Sequence, residues 1–231
     1  MTVTYHDAFD QGSEAWLAAR CGLLTASEMK LVITPTLKVA SNEKERSHLY
    51  ELMAQRISNY VEPRWIGDDM LRGMEDEIEA RNLYTKHFAE VTECGLITND
   101  KWGFVIGYSP DGLVGDDGLI EGKSRRQKFQ VQTVVENVAT GTCPDEFAIQ
   151  CQTGLLVSER EWLDFISYSG GLPMAVVRVH PDPVIQHAIV EAAGAFEARL
   201  SVKLATYRET IANKAMRLVP TERKIIEEMH L

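Results

Sequence analysis

The 231-residue sequence has few cysteines and histidines, and neither residue type is arranged as a metal-binding motif. Its 4 cysteines contain no CxxC pair, and its 6 histidines form no HExxH or HxH sequence. Structural zinc sites and zinc hydrolases use such spacings, so their absence argues against both classes. Scattered cysteines without a disulfide pattern are typical of free thiols in a reducing compartment.

The sequence also lacks a long apolar run and an excess of basic residues. No stretch approaches the ~18 apolar residues of a membrane-spanning helix, and the start, MTVTYHDAFDQG, lacks the features of a signal peptide. We therefore expect a cytoplasmic protein without membrane contact. The net charge of −10 argues mildly against a nucleic-acid partner, because phosphate binding depends on Lys and Arg. Bound divalent cations or a local basic face can offset this charge.

Hydrophobic periodicity and turn residues predict an α/β protein. We expect helices after Ser13, over 27–33, after Ser41, and over 68–90, 127–140, 143–159 and 183–212. Met70, Met74, Ile78 and Leu83 form the expected apolar side of the helix over 68–90. Strands are expected over 92–100, 102–110, 118–124, 161–169 and 174–180. This order predicts a single domain over residues 1–231 around one mixed sheet, with a charged helical tail at about 216–231.

The segment GYSPDGLVGDDGLIEGKSRRQ places two acids and a lysine around one turn. If FVIGYSP pairs antiparallel with GLIEGKS, Asp111 lies beside Glu121, about one strand spacing (~5 Å) away. Strand alternation places Glu121 and Lys123 on one face. Mg²⁺ accepts one or two carboxylates, and the Gly122 carbonyl is a further oxygen ligand. Lys123 would orient or deprotonate a water, or stabilise a phosphate. The alternative is an ordinary hairpin with solvated acids and a Lys123–Glu121 salt bridge.

Two neighbouring segments carry further candidates. Glu77 lies on a helix just before the strands and can lend a carboxylate to the same strand end, although its acidic surroundings also suit a solvated helix face. Gln150 and Gln152 lie among apolar residues, where a buried amide needs a hydrogen-bond partner. They could instead lie on the exposed side of a helix. Asp116 and Asp117 are interpreted as turn residues.

These segments together resemble a known family. PDG at 110–112, EGK at 121–123 and the RGMEDE and QCQ helices resemble the PD-(D/E)xK nuclease motif with its accessory motifs. AWLAARCGLLTASEM and SPDG are similar to stretches of the lambda-exonuclease-like and YqaJ-like viral recombinases of that superfamily. The resemblance runs in order over about residues 14–156. It implies a restriction-endonuclease-like α/β core, a mixed β-sheet flanked by helices.

The resemblance assigns the metal ligands residue by residue. It implies that Asp111 and Glu121 bind two Mg²⁺ ions, for which Mn²⁺ can substitute, with help from the Gly122 carbonyl. Glu77 would serve one ion, through a water molecule. The family often has an aliphatic residue between the Glu and the Lys, so Gly122 is a departure that loosens the strand.

The resemblance also assigns roles around the metal. Lys123 would position the nucleophilic water, and Gln152 would be the catalytic glutamine. Met70 would be a wedge that separates the strands. A pocket for the 5′-phosphate would consist of Arg20, Thr25, Ser27 and Ser109. Alternatives for the pocket are a simple N-cap in TAS and a surface ion pair for Arg20.

The implied function is a Mg²⁺-dependent 5′→3′ exonuclease. It would digest one strand of linear double-stranded DNA to mononucleotides and leave 3′ single-stranded tails. The implied assembly is a homotrimeric ring threaded by DNA, and the implied partner is a phage single-strand annealing protein in the bacterial cytoplasm. Two alternatives stay open: a PD-(D/E)xK endonuclease or resolvase without end dependence, and a catalytically inert nucleic-acid- or protein-binding module.

Overall fold

The computed structural model describes residues 2–63 and 67–223, apart from the side chains of residues 68–70. The helices are α1 (Glu14–Arg20), α2 (Glu43–Ser58), α3 (Asp68–His87), α4 (Gln127–Gln132), α5 (Asp145–Ser158) and α6 (Pro183–Ala212). The strands are β1 (Val3–His6), β2 (Leu24–Thr25), β3 (Leu96–Asn99), β4 (Ile106–Tyr108), β5 (Gly112–Val114), β6 (Gly118–Ser124), β7 (Trp162–Tyr168) and β8 (Ala175–Val179). A 3₁₀ turn (Met29–Leu31) follows β2, and a π-helical segment (Thr133–Val138) continues α4.

The described strands form two four-stranded mixed sheets, in the orders β1-β3-β4-β2 and β5-β6-β7-β8. In the first sheet β2 runs parallel to β4, and in the second β6 runs parallel to β7; the other pairs are antiparallel. The α/β class is confirmed, but the single sheet that the sequence suggested is wrong. The chain leaves the first sheet after β4, because Pro110 has no N–H to continue a strand ladder.

The catalytic hairpin also differs from the predicted one. Segment 102–110 does not pair with β6; it supplies β4, which pairs with β3 and β2. The strand that pairs with β6 is the short β5, in the register Gly112↔Ile120 and Val114↔Gly118. Gly115 makes the turn possible with φ 54°, a left-handed conformation that glycine adopts without strain. When this register is continued by one residue, Asp111 lies opposite Glu121.

Most helix predictions are confirmed. Ser13 caps α1 by accepting a hydrogen bond from Trp16 N, and Asn42, one residue after the predicted Ser41, caps α2. The helix over 183–212 agrees with α6 at both ends. The helix over 127–140 is shorter, because α4 gives way to the π-helical segment at Thr133.

Two helix predictions are wrong. Segment 27–33 contains only the 3₁₀ turn, because the preceding β2 pairs with β4 and Ala26 N donates to Gly107 O. Residues 216–223 have no helical structure, and Pro220 disfavours the helical conformation of the residue before it. Residues 224–231 of the predicted tail lie outside the described residues. Among the described helices, none is both long and apolar enough to cross a membrane.

The second sheet is covered on both faces. Ile120 and Ile166 pack against Ala80 and Tyr84 of α3, while Leu119, Phe165 and the rest of the larger core pack against α5 and α6. The predicted apolar side of α3 is therefore wrong. Met74 and Ile78 are about half exposed, and Ala80 and Tyr84, on nearly the opposite side of the helix, are buried instead. The single-domain assignment stays a prediction.

Candidate active site

Glu121 is the centre of a hydrogen-bond cluster in the middle of β6. Strand alternation turns Glu121 and Lys123 toward α5, the same side as Leu119. Glu121 is 1% exposed. Its Oε1 accepts from Lys123 Nζ and from Gln150 Nε2, both at 2.5 Å, and its Oε2 accepts from Tyr108 Oη at 2.9 Å. Three donors thus hold a buried carboxylate in one orientation.

Asp111 is the second carboxylate of the site. Its Oδ2 accepts from the backbone N of Gly122 at 2.5 Å, which connects the start of β5 to the middle of β6. Burial raises the pKa of Asp111 well above its usual range, and the negative charge of Glu121 raises it further against the opposing effect of Lys123. The predicted approach of Asp111 and Glu121 is thus present in the structure.

Lys123 is the cation between the two acids. Burial by itself lowers the pKa of Lys123, but the carboxylates of Glu121 and Asp111 outweigh it and raise the pKa above its ordinary value. An ammonium at this position can donate hydrogen bonds and stabilise negative charge.

Glu77 reaches the site from α3. Ser124 Oγ donates to Asp76 Oδ2 at 2.5 Å, which holds this turn of α3 against the end of β6. Burial raises the pKa of Glu77, partly offset by the nearby charges of Arg81 and Lys123. Within the described residues, no three His, Cys, Asp or Glu side chains are close enough to hold a metal ion by themselves. Glu77 is thus an outer member of the acidic set.

The glutamine of the site is Gln150, and the prediction of Gln152 is wrong. Gln152 Nε2 donates to His180 O and its Oε1 accepts from Asp182 N, both at 2.8 Å, so this amide connects α5 to the start of α6. Residues two apart on a helix face different sides, and here the side of Gln150 faces Glu121. The sequence placed both amides among apolar residues, but it contained no signal that separated them.

The four predicted pocket residues lie together beside α1. The Arg20 guanidinium lies 4.3 Å from the centre of the Trp16 ring, and Arg20 Nη2 donates to Thr25 Oγ1 at 3.2 Å. Ser27 Oγ is 3.2 Å from Thr25 Oγ1. Trp16 Nε1 donates to Ser109 Oγ at 3.0 Å, which brings the link between β4 and β5 to the same place. Arg20 is thus held on an aromatic ring next to hydroxyl groups.

Some residues of these clusters were not among the predicted site residues: Tyr108, Gln150, Trp16 and Glu28. Tyr108 and Glu28 are recognisable only once the contacts of Glu121 and Thr25 are known. The wedge residue Met70 cannot be placed, because its side chain lies outside the described residues.

One cleft of about 950 Å³ joins the two clusters. Arg20, Thr25 and Glu28 line it together with Glu77 and Asp111. Met74 and Ile78, exposed apolar residues of α3, also face this cleft. An anion held at Arg20 therefore shares a space with Asp111 and Glu77.

The α/β fold, in which β5 and β6 bring Asp111, Glu121 and Lys123 together, agrees with the nuclease class that the sequence predicted. The model of the YqaJ-like viral recombinase domain matches residues 15–161, more than half of the chain. The chain belongs to the YqaJ-like viral recombinase family, and the predicted family is confirmed.

Solved structures agree with this assignment. The alkaline exonuclease LHK-Exo from Laribacter hongkongensis has 32% identity and a TM-score of 0.75, covering 87% of this chain and 98% of its own. LHK-Exo in complex with dAMP has 33% identity and a TM-score of 0.76, with the same coverage. A phage related exonuclease from Haemophilus somnus 129PT has 13% identity, a TM-score of 0.55 and coverage of 79% and 96%, which supports the fold alone. No curated protein sequence matches the chain.

Proposed function

We propose that this protein is a metal-dependent DNA exonuclease that digests one strand of a linear duplex in the 5′→3′ direction. It releases mononucleotides and leaves 3′ single-stranded tails for phage-type recombination. The observation that carries the proposal is one cleft that is lined both by Asp111 and Glu77 and by Arg20 with Thr25. Membership of the family and the similarity to LHK-Exo support exonuclease activity.

The donor atoms of the hairpin fit Mg²⁺. Asp111, Glu121 and the Gly122 carbonyl are all oxygen donors, and Mg²⁺ completes such a set with water and phosphate oxygens. A divalent cation also removes the repulsion between the buried carboxylates that raises the pKa of Asp111. Two ions, with Mn²⁺ as a substitute, are proposed, and Glu77 would serve one of them through water. When bound, the metal polarises the phosphate and acidifies a water molecule.

The protein's own side chains hold this site in shape. Lys123, as an ammonium, can donate to the attacking water or to a phosphate oxygen while it stays paired with Glu121. Gln150 and Tyr108 each donate to Glu121, so the carboxylate does not need to reorient during the reaction. This preorganisation supports phosphodiester hydrolysis.

Direction is proposed to come from the Arg20 pocket. Arg20 lies on the Trp16 ring and donates to Thr25 Oγ1, while the Ser27 hydroxyl contacts Thr25 and the Ser109 hydroxyl contacts Trp16. Such a group suits a terminal phosphate. A 5′-phosphate held there would place the following part of its strand in the cleft that Asp111 lines. The strand would then be cut from its 5′ end.

The assembly rests on the resemblance alone. We propose a homotrimeric ring that encircles the DNA and cooperates with a single-strand annealing protein encoded by the same phage or prophage. Closed symmetry allows an acidic protomer to meet DNA through its inner surface. Mass measurement in solution tests this point, because a monomer at working concentration would contradict the ring.

A nuclease assay tests the activity. Linear duplexes with a 5′-phosphate or a 5′-hydroxyl, and a covalently closed circle, are each incubated with Mg²⁺ or with a chelator. We expect mononucleotides from the 5′-phosphorylated duplex with Mg²⁺ alone, slower digestion of the 5′-hydroxyl duplex, and an intact circle. A cut circle would favour the endonuclease, and a lack of metal-dependent cleavage would favour the binding module.

A further inference from the structure

The Arg20 pocket contains a carboxylate of its own. Thr25 Oγ1 donates to Glu28 Oε2 at 2.9 Å, and Arg20 Nη2 donates to the same hydroxyl at 3.2 Å. Glu28 is partly buried and lines the cleft together with Arg20 and Thr25. A phosphate that binds to Arg20 and Thr25 therefore meets a like charge at close range, and such a contact weakens binding unless the charge moves or is neutralised.

A buried histidine lies directly behind this carboxylate. His48 of α2 is 2% exposed, and its Nε2 is 3.8 Å from Glu28 Oε2, the atom that Thr25 uses. This distance is too long for a hydrogen bond, and Nε2 has no hydrogen-bond partner among the described residues. The other ring nitrogen, Nδ1, is 3.1 Å from Glu51 Oε2, and the ring stacks on Phe196 of α6. His48 Nε2 can therefore form a hydrogen bond with Glu28.

The other charges near His48 are paired with each other. On α6, Glu197 flanks Phe196 and accepts two hydrogen bonds of 2.7 Å from Arg56. Arg199, one turn further on, pairs with Glu45 of α2 at 2.7 Å. The carboxylates that face His48 are therefore Glu51 from its own helix and Glu28 from the pocket.

We propose that Glu28 and His48 tune the selectivity of the pocket for a terminal phosphate. The phosphate takes over the hydroxyl of Thr25, and Glu28 shifts toward His48. A movement of about 1 Å brings Glu28 Oε2 within hydrogen-bond distance of Nε2. There His48 Nε2 donates a hydrogen bond to Glu28, which holds this carboxylate away from the phosphate. The inference rests on the proposed 5′-phosphate pocket and deepens it.

The same pair also favours release of the product. The mononucleotide that leaves after cleavage carries the old 5′-phosphate out of the pocket. The return of Glu28 to Thr25 Oγ1 competes with that phosphate, so the pocket binds it less tightly than Arg20 and the hydroxyls alone would. Glu28 thus lowers the affinity of the pocket for phosphate and speeds the release of the mononucleotide.

The test compares wild type with Glu28→Gln, His48→Gln and the double variant at pH 8. One readout is the ratio of kcat/KM on duplexes with a 5′-phosphate and a 5′-hydroxyl. The other is the Kd of dAMP in a chelator, with deoxyadenosine as the ligand without phosphate. The matched control is Glu51→Gln, which removes a carboxylate from His48 but none from the pocket. Thermal unfolding checks that each variant is folded.

We expect Glu28→Gln to raise the rate ratio about tenfold at pH 8 and to lower the Kd of dAMP by a similar factor, with deoxyadenosine unchanged; a tenfold change corresponds to about 1.4 kcal/mol. His48→Gln removes the partner of the displaced Glu28 and should lower the ratio. In the Glu28→Gln background it should change nothing. Glu51→Gln should leave the ratio at pH 8 unchanged.

Two kinds of failure are distinguishable. A wild-type ratio near one would overturn the proposed phosphate pocket and this inference with it. A clear wild-type preference that Glu28→Gln leaves unchanged or lowers would overturn this inference alone, because Glu28 would then support the pocket and not oppose the phosphate. An effect of His48→Gln that persists in the Glu28→Gln background would likewise exclude the Glu28–His48 pair as its source.

Discussion

Two buried acidic clusters lie on neighbouring strands of the second sheet, and they balance their charge differently. On β7, Asp164 receives two hydrogen bonds of 2.8 Å from Arg178 and one of 2.6 Å from Tyr84. One carboxylate thus meets one guanidinium, and both of its oxygens have donors. Arg178 in turn stacks 3.7 Å from the Trp162 ring centre. This cluster connects α3, β7 and β8.

The cluster on β6 has more negative charge than positive charge. Asp111 and Glu121 share Lys123, and Glu77 adds a third carboxylate nearby. A neutral, fully bonded cluster stabilises a fold, whereas an excess of buried carboxylates repels itself and attracts a cation. The comparison indicates that the surplus charge, and not burial or hydrogen bonding, distinguishes the site from a structural ion pair.

The largest expected effect is on catalysis at the site. Lys123→Ala should lower the cleavage rate about 10²–10³-fold, because it removes the ammonium that faces the reacting phosphate. Initial rates on 5′-phosphorylated duplex measure this. The control is Lys101→Ala, which breaks an exposed pair with Glu159 and should change the stability by less than about 1 kcal/mol. Wild-type activity in Lys123→Ala would contradict the proposed role of Lys123.

The next largest effect is on stability, at the cluster of Asp164, Arg178 and Tyr84. Arg178→Ala leaves Asp164 buried with Tyr84 as its remaining donor, and it should lower the free energy of unfolding by about 3 kcal/mol. Urea unfolding measures it. Cleavage per folded molecule should stay within about twofold, since this cluster lies on the face of the sheet opposite to Glu121. Loss of activity without loss of stability would contradict the distinction between the clusters.

Asp111→Asn should raise the stability, whereas Arg178→Ala should lower it. The folded protein holds the Asp111 proton to higher pH than the unfolded chain does, so in the metal-free protein this group lowers stability as pH rises above ~3.9. Asp111→Asn should therefore raise the free energy of unfolding by about 1 kcal/mol at pH 7, although cleavage is lost. The gain should vanish near pH 4. Urea unfolding in a chelator at both pH values measures this, and destabilisation at pH 7 would contradict it.

A matched pair of tyrosine variants compares the clusters directly. Tyr108→Phe and Tyr84→Phe each remove one hydrogen bond to a buried carboxylate, and each should cost about 1 kcal/mol of stability. Only Tyr108→Phe should also slow cleavage, by about tenfold, because Tyr108 orients Glu121. Equal effects of the two variants on cleavage would show that Tyr108 has no special role in the site.

The smallest effect is expected at Gly122. A Cβ there would lie 3.5 Å from Asp111 Oδ2, which is an ordinary contact, and alanine loses less backbone entropy in a strand. Gly122→Ala should raise the free energy of unfolding by about 0.5 kcal/mol and keep cleavage within about twofold. The control Gly154→Ala would place a Cβ 2.7 Å from the Tyr108 ring and should lower both stability and activity. Thermal unfolding and initial rates measure both variants.

Several features of the site were predictable because they depend on short stretches of chain. Asp111, Glu121 and Lys123 come together whether the hairpin has the predicted strand or the observed one, since the register differs by a single step. The pocket set around Arg20 and Thr25 came from the resemblance, and the structure brings its members together. Helix caps such as Ser13 are likewise local hydrogen bonds.

The missed features depend on contacts between distant segments. The apolar stripe of α3 predicts a buried face, but Met74 and Ile78 line the cleft. The division into two sheets depends on which strands pair with β4, and strand periodicity alone does not specify the partner. Glu28 gained significance only from Thr25 and from His48 on another helix.

By itself the sequence determined the α/β class and, through the resemblance of its motifs, the family. It also determined the acid–acid–lysine hairpin, because strand alternation and a short turn leave those side chains little freedom. Only the tertiary structure decided which glutamine joins them. The rotation of α5 is set by packing: Gly154 lies against the Tyr108 ring, and Gln152 bonds to the segment before α6. That packing turns Gln150 toward Glu121, and no local pattern around QCQ contains this information.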